Sequence, residues 1–288
     1  MKLAIGTVQF GLDYGISNAG GRTSQDEAQR ILNLAKGSGI DTLDTAAAYG
    51  DSEQVLGRIG VAGWKVVSKV PPLPNDEVNG KAWVLDHVRR SLDRLRIERL
   101  DGLLLHNAAD LLKAQGRDIA AGLQEAKAEG LVGKAGYSIY SPQSLTELIE
   151  VMSPDLVQAP FNVLDQRLAS SGWLGRLIES GAEVHVRSVF MQGLLLMGRE
   201  IRPPAFDKWR EHWQRWDAAV AGSSKQALAL CLGFEMAQPG ISRVIVGVEN
   251  QNHLEQLLAI WEKAVPFDAT ALACDDPQLV EISNWELK

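Results

Sequence analysis

Asp44, Lys69 and His106 each close an apolar run of the chain. Thr42-Leu43 leads into Asp44, Trp64-Lys65-Val66-Val67-Ser68 into Lys69, and Gly102-Leu103-Leu104-Leu105 into His106. Burying an ionisable group at a strand end costs several kcal/mol unless it is paired, so three in succession are placed for chemistry rather than for the core. Neighbouring strands lie about 4.8 Å apart, which lets the three side chains meet on one arc. Asp44 would hold Lys69 charged, and a cation beside Tyr49 favours its phenolate over the usual phenol of pKa about 10. Tyr49 then becomes a usable acid near neutral pH, and His106 can donate a second hydrogen bond to the same substrate oxygen. Such a set protonates or stabilises a developing alkoxide. It contains no metal-ligand set, and no Ser or Cys nucleophile stands beside a base.

The elements that must position these groups follow a strand, loop, helix rhythm. Strands are expected at Leu3–Thr7, Thr42–Asp44, Lys65–Lys69, Gly102–His106, Val132–Ser138, Leu156–Gln158, Glu183–Ser188 and Arg243–Val246. Stretches of helical spacing separate them: Ser24–Lys36, Ala82–Leu95, Leu123–Glu129, Pro142–Val151, Leu168–Glu179, Lys225–Ala237 and His253–Lys263. Ser24 with Glu27 reads as a capping box, and Ser141 precedes a proline at a first helical position. This alternation predicts an α/β fold, a closed (β/α)8 TIM barrel in one domain over residues 1–288. The rival doubly wound sheet usually carries Gly-x-Gly-x-x-Gly after its first strand, and Gly6-Thr7-Val8-Gln9-Phe10-Gly11 lacks it. An inserted helical segment around residues 200–221 breaks the rhythm. There Trp209, Trp213 and Trp216 share one face, and should either wall a substrate pocket on the catalytic side or pack on the barrel rim.

Bulk composition narrows the partners. The 288 residues are 45% hydrophobic with a net charge of -7, ordinary for a globular protein and unsuited to nucleic acid as the main partner. Apolar stretches stay short of the roughly 20 residues of a membrane span. Met1–Gly6 lacks the h-region of a secretory signal, so a cytoplasmic location with Cys231 and Cys274 reduced is expected.

The motif Asp44-Thr45-Ala46-Ala47-Ala48-Tyr49-Gly50-Asp51-Ser52-Glu53 resembles the Asp-Thr-Ala…Tyr-Gly-x-Ser-Glu signature of the aldo-keto reductase superfamily. The lysine of Val67-Ser68-Lys69-Val70 and the histidine of Leu105-His106-Asn107 follow in that family's order. The resemblance implies hydride transfer between a nicotinamide cofactor and a small-molecule carbonyl or alcohol. Tyr49 would be general acid, Lys69 and Asp44 its tuning pair, and His106 the group orienting the carbonyl. The opening Gly6-Thr7-Val8-Gln9-Phe10-Gly11 is similar to bacterial members, several of them tied to sugar metabolism, so a sugar-derived carbonyl is one expected substrate. Singly, Asp44–Lys69 reads as a structural ion pair, Tyr49 as a packing aromatic and His106 as a core histidine. Together they would be four coincidences.

The same resemblance places the cofactor at the ends of strands five to eight. Ser138 and Gln158 match residues near the nicotinamide carboxamide, while Ile139 stands where an asparagine is usual. Arg187 occupies the position of an aromatic that often stacks on the nicotinamide ring, and a guanidinium plane also stacks. Ser188, Gln192 and Gly193 would line the pyrophosphate loop, and Gly247 and Asn250 would border the adenosine end. NADP is the expected cofactor from family habit, with NAD possible because Glu249 and Asn250 stand where a phosphate-binding base is common. Candidate pocket walls are Tyr14, Trp83 and the Trp209–Trp216 segment. Two further readings stay open. One is a nicotinamide-binding regulatory or redox-sensing protein with little turnover. The other is a barrel lyase using Lys69 as a Schiff-base nucleophile, which requires a neutral lysine that Asp44 disfavours.

Overall fold

Short runs rich in Val, Ile and Leu become strands buried on both faces. In the computed structural model, which describes residues 1–75 and 78–285, they form eight parallel strands. These are β1 (Leu3–Gly6), β2 (Thr42–Asp44), β3 (Lys65–Val70), β4 (Leu100–Leu105), β5 (Val132–Ser138), β6 (Leu156–Pro160), β7 (Glu183–Arg187) and β8 (Ile241–Gly247). Each pairs with the next in sequence, and β1 closes on β8 with Ile5 opposite Val246, giving the expected (β/α)8 barrel. Helices wrap the outside: α1 (Gln25–Gly37), α2 (Ser52–Ile59), α3 (Gly80–Leu95), α4 (Gly116–Ala128), α5 (Leu145–Val151), α6 (Arg167–Ser170), α7 (Trp173–Glu179), α8 (Arg210–Val220), α9 (Ser224–Met236), α10 (Gln251–Trp261) and α11 (Pro277–Val280). Among the described residues no helix is long and apolar enough to cross a membrane.

Side chains alternate across a strand, and that period of two decides what reaches the barrel mouth. Val67, Leu104 and Leu156 form an apolar cluster of their own, apart from the core beneath the helices. Two residues further along come Lys69 and Gln158 on the same strands and His106 just past the end of β4, and the three share that inward side. At the opposite end Lys134 pairs with Asp101 at 3.2 Å and Glu183 at 2.9 Å, while Arg243 reaches Asp41 at 3.2 Å. Ion pairs close the barrel's N-terminal end; its C-terminal end is left open for a site.

Several boundaries differ from the sequence expectation. β3 runs on to Val70, and β4 stops at Leu105, so His106 is the first residue beyond its strand. Leu168–Glu179 is split into α6 and α7 at Gly172, whose φ of 77° no α-helix accommodates. Only the serine half of the Ser24–Glu27 capping box forms: Ser24 Oγ accepts from the Glu27 amide at 3.2 Å. The Glu27 carboxylate instead accepts from the Gln251 amide of α10 at 2.6 Å.

The insertion between β7 and α9 is a series of tight turns ending in α8. Its tryptophan stripe packs and does not wall the pocket. Trp216 donates to the Leu195 carbonyl at 3.2 Å, Trp213 to that of Phe206 at 2.8 Å, and Trp209 to Asp276 Oδ2 at 2.8 Å. All three are buried, and none lines the cavity at the barrel mouth.

Candidate active site

Lys69 lies beneath the barrel mouth, 1% exposed, and its ammonium has a full set of acceptors. Nζ donates to Asp44 Oδ2 at 2.7 Å, Asp44 Oδ1 at 2.9 Å and the Thr45 carbonyl at 3.0 Å, and it stands 3.4 Å from the Tyr49 hydroxyl. Burial by itself would favour a neutral amine. The Asp44 charge, then Tyr49, outweigh burial and raise the Lys69 pKa above its ordinary value. β2 and β3 thus place the carboxylate and ammonium side by side, as the sequence order implied.

Tyr49 sits on the loop after β2, and that loop is pinned from three directions. Ser52, the first residue of α2, donates to the Thr7 carbonyl at 2.9 Å and shares hydrogen bonds with the Thr7 hydroxyl at 2.8 Å and the Thr45 hydroxyl at 3.1 Å. Glu53, almost fully buried, accepts from Ser68 at 2.6 Å and from Arg94 at 2.7 Å, joining α2 to β3 and α3. Gly11 crosses so close that a Cβ there would lie 1.8 Å from the Tyr49 carbonyl oxygen. The Ser52-Glu53 pair of the signature therefore holds the tyrosine loop without touching the cavity.

His106 packs edge-on against Tyr49, with ring centroids 5.6 Å apart and planes at 84°. Burial, then the positive charges of Lys69 and Arg187, push its pKa down to about 4, so the ring is neutral at physiological pH. Its buried Nδ1 has no hydrogen-bond partner among the described residues. A neutral imidazole with one N–H to give is suited to a substrate oxygen.

Above these groups opens a cavity of about 1150 Å³, larger than the roughly 300–1,000 Å³ of most small-molecule sites. Asp44, Tyr49 and His106 line it together with Ser138, Gln158, Arg187, Ser188, Gln192, Gly193 and Gly247. Gln158 is fully buried; its amide donates to Asp44 Oδ1 at 2.6 Å, and its carbonyl oxygen has Ser138 Oγ at 3.4 Å. Arg187 reaches across to the Ile139 carbonyl at 3.0 Å, Ser138 Oγ at 3.4 Å and Ser188 Oγ at 3.2 Å. The Ile139 side chain points into the core and offers the cavity nothing. Asn250 is not brought to the cavity either: its side chain caps α10, accepting from the His253 amide at 2.9 Å. That cap satisfies a helix amide that would otherwise be orphaned, which removes the side chain from the lining.

Of the three candidate walls, only Tyr14 lines the cavity, its hydroxyl accepting from Gln192 Nε2 at 3.2 Å. Trp83 turns away to donate to the Pro71 carbonyl at 3.2 Å. Gln9 and Tyr140 are among the lining residues that the sequence did not mark. Gln9 leaves Oε1 buried without a partner among the described residues, and its signal is a lone amide among apolar neighbours of the opening motif. Tyr140, whose ring lies 4.9 Å from the Arg187 guanidinium, sits on a loop that no pattern marks.

Similarity to known proteins places the chain in a family. Residues 2–273 match the model of the Aldo/keto reductase family. A D-threo-aldose 1-dehydrogenase of a Pseudomonas species is 27% identical, with 85% of this chain and 87% of that protein aligned. A chloroplastic pyridoxal reductase of Arabidopsis thaliana is 32% identical over 43% of this chain and 38% of its own length. In fold, the chain is similar to an aldo-keto reductase of Bacillus halodurans solved in a holo form, with a TM-score of 0.73 and 21% identity over 94% of this chain and 89% of that one. With the family model spanning nearly the whole barrel, strand ends included, this chain is an oxidoreductase of the aldo/keto reductase family.

Proposed function

We propose that this chain reduces an aldehyde or ketone to an alcohol, with Tyr49 as general acid and a nicotinamide dinucleotide as hydride source. The observation that carries this reading is the Tyr49 hydroxyl, set 3.4 Å from an ammonium that a carboxylate holds at 2.7 Å, with His106 edge-on beside it. When bound, the reduced cofactor supplies the hydride. Tyr49 holds the proton that passes to the carbonyl oxygen, and Lys69 stabilises the phenolate left behind. Asp44 and the Thr45 carbonyl fix Lys69 in place. Neutral His106 donates its N–H to the same oxygen, so the developing charge meets two preset donors. The retained charge on Lys69 speaks against the imine-forming alternative, which needs a free amine.

The lining fits a nicotinamide dinucleotide. Among the described residues Gln158 Oε1 has only a long contact to Ser138, which leaves an acceptor for a carboxamide N–H. Gly247 keeps the space beside Gln9 open, since a Cβ there would come within 2.6 Å of Gln9 Nε2. Ser138, Gln158 and Arg187 would hold the nicotinamide end, and Ser188, Gln192 and Gly193 the phosphates. At the start of α10 the amides of Gln251 and His253 are taken by Glu27 and Asn250, and Glu249 lines the cavity. The Glu249 carboxylate there repels a 2′-phosphate and accepts from a ribose hydroxyl, which favours NADH over NADPH against the family habit and against the pull of Lys225 and Lys263 on the same lining. The resemblance to a D-threo-aldose 1-dehydrogenase and a pyridoxal reductase supports a hydroxylated aldehyde such as a sugar-derived carbonyl.

Purified protein should oxidise NADH or NADPH when given a reactive aldehyde such as 4-nitrobenzaldehyde. Tyr49→Phe should lower kcat at least a hundredfold while cofactor fluorescence titrations stay unchanged. Undiminished turnover in that variant would refute the acid assignment. Parallel titrations with NADH and NADPH test the reading of α10, and tighter NADPH binding would overturn it.

A further inference from the structure

Arg187 carries a charge that nothing on the cavity floor balances. Its polar partners among the described residues are uncharged: the Ile139 carbonyl at 3.0 Å and the hydroxyls of Ser188 at 3.2 Å and Ser138 at 3.4 Å, with the Tyr140 face 4.9 Å away. The other floor charges cancel, because Lys69 and Asp44 form a pair at 2.7 Å and His106 is neutral. Glu249, the remaining carboxylate on the lining, follows β8 and faces His253 across 4.0 Å at the start of α10. One net positive charge therefore remains beside the reacting groups. It is felt there, since Arg187 is one of the charges that depress the His106 pKa.

A continuous polar track ties that charge to the acid. Arg187 Nε meets Ser138 Oγ at 3.4 Å, Ser138 meets Gln158 Oε1 at 3.4 Å, and Gln158 Nε2 meets Asp44 Oδ1 at 2.6 Å. Asp44 pairs with Lys69, which stands 3.4 Å from the Tyr49 hydroxyl. A hydride donor that contacts a carbonyl held by Tyr49 and His106 must share this floor with the guanidinium. The two redox forms of a nicotinamide differ there by one unit of charge. The reduced ring is a neutral dihydropyridine, and the oxidised ring is a pyridinium cation.

We infer that Arg187 sets the working direction of the enzyme, by favouring the uncharged reduced cofactor over the cationic oxidised one. The inference rests on the proposed nicotinamide site and adds to it a bias that an aromatic side chain at this position would not supply. With a dinucleotide bound, transfer of its hydride to the carbonyl carbon and of the Tyr49 proton to the oxygen would leave the ring cationic on the floor that Arg187 charges. Repulsion then weakens retention of the spent cofactor, while the alcohol product leaves uncharged. Like charges in a partly desolvated cavity oppose each other by roughly one to two orders of magnitude in binding.

Dissociation constants for the oxidised and reduced forms of one dinucleotide, measured by tryptophan quenching, test this without turnover. The wild-type chain should bind the reduced form at least ten times more tightly. Arg187→Met should bring the ratio near unity, mainly through tighter binding of the oxidised form. Arg187→Lys, which keeps the charge and loses the planar fork, should preserve most of the bias. Raising the salt concentration should shrink the wild-type ratio and leave the methionine variant unmoved. Equal wild-type affinities, or a ratio unchanged in Arg187→Met, would overturn the inference and leave the cofactor reading standing. Loss of both forms in equal measure in that variant would make Arg187 a structural support and overturn it likewise. So would a variant whose ratio is unchanged but whose defect is confined to carboxylate-bearing aldehydes, since the charge would then serve the substrate. Failure of the wild type to bind either form would sink the nicotinamide site and this inference with it.

Discussion

His106 is the residue whose protonation state decides whether the proposed binding of a substrate oxygen can work. Its pKa is pushed down to about 4, first by burial and then by Lys69 and Arg187. The ordinary imidazole value is about 6.5, so between these two values the unfolded chain holds a proton that the folded chain does not. Stability contributed by the neutral ring is therefore complete above about 6.5 and is lost as pH falls towards about 4. Two measurements follow from that sign. A ¹⁵N NMR titration of the His106 ring should show its midpoint near 4, and urea unfolding of His106→Gln should lose less stability than wild type between pH 7 and pH 4.5. A midpoint near 6.5 would mean that the ring is solvated, and the neutral-donor role would fall. Asp44 and Lys69 present the opposite design. There the two charges are buried together with hydrogen bonds to spare, so neither is left unpaired in the low-dielectric interior.

At the scale of elements, the meeting of the candidate catalytic residues at the barrel mouth was legible because strand alternation constrains it. Asp44, Lys69 and His106 each close an apolar run, and a period of two leaves such a residue little choice of side. The one-residue differences at the C-terminal ends of β3 and β4 do not matter, since the inward side is already set by Val67 and Leu104. Loops carry no such period. Tyr140 and the cap made by Asn250 depend on how a loop turns, which neighbouring strands do not announce. Glu27 was read as a local cap, yet its carboxylate goes to α10, because closing the barrel brings α1 against α10. The turn after β1 illustrates how much such loops control. Gly11 leaves no room for a side chain against Tyr49 and Ser52: a Cβ would lie 1.8 Å from the Tyr49 oxygen and 2.6 Å from the Ser52 nitrogen. Gly11→Ala should therefore displace the tyrosine loop and lower kcat at least tenfold while nicotinamide binding is retained, because Ser138, Gln158 and Arg187 belong to other strands. A kcat within twofold of wild type would show that the loop yields to the methyl group.

Across the whole molecule, the barrel divides its work between two ends, and the insertion after β7 belongs to the open one. Its tryptophans could have formed a wall over the substrate; the structure uses them to anchor a loop instead. Trp216 is 1% exposed and donates to the Leu195 carbonyl at 3.2 Å, two residues from Gly193 on the cavity lining. That loop is under backbone strain, with Ser188 at φ 61°, Met191 at 48° and Gln192 at 55°, and it needs outside support to stay in place. It is also clasped to the loop after β1, where the Ile16 amide donates to the Gln192 carbonyl at 3.1 Å. Trp213 is equally aromatic and buried, but it stacks on Arg202 at 4.1 Å and bonds to Phe206, away from the loop. The two tryptophans thus separate stability from binding. Truncating either to alanine should destabilise the fold by about 3–5 kcal/mol, as for other buried aromatics. Only Trp216→Ala should also raise the dinucleotide dissociation constant, by about tenfold, measured well below its melting transition. If both variants bind cofactor as tightly as wild type, the strained loop is held by the clasp to the loop after β1 alone, and α8 contributes only to folding.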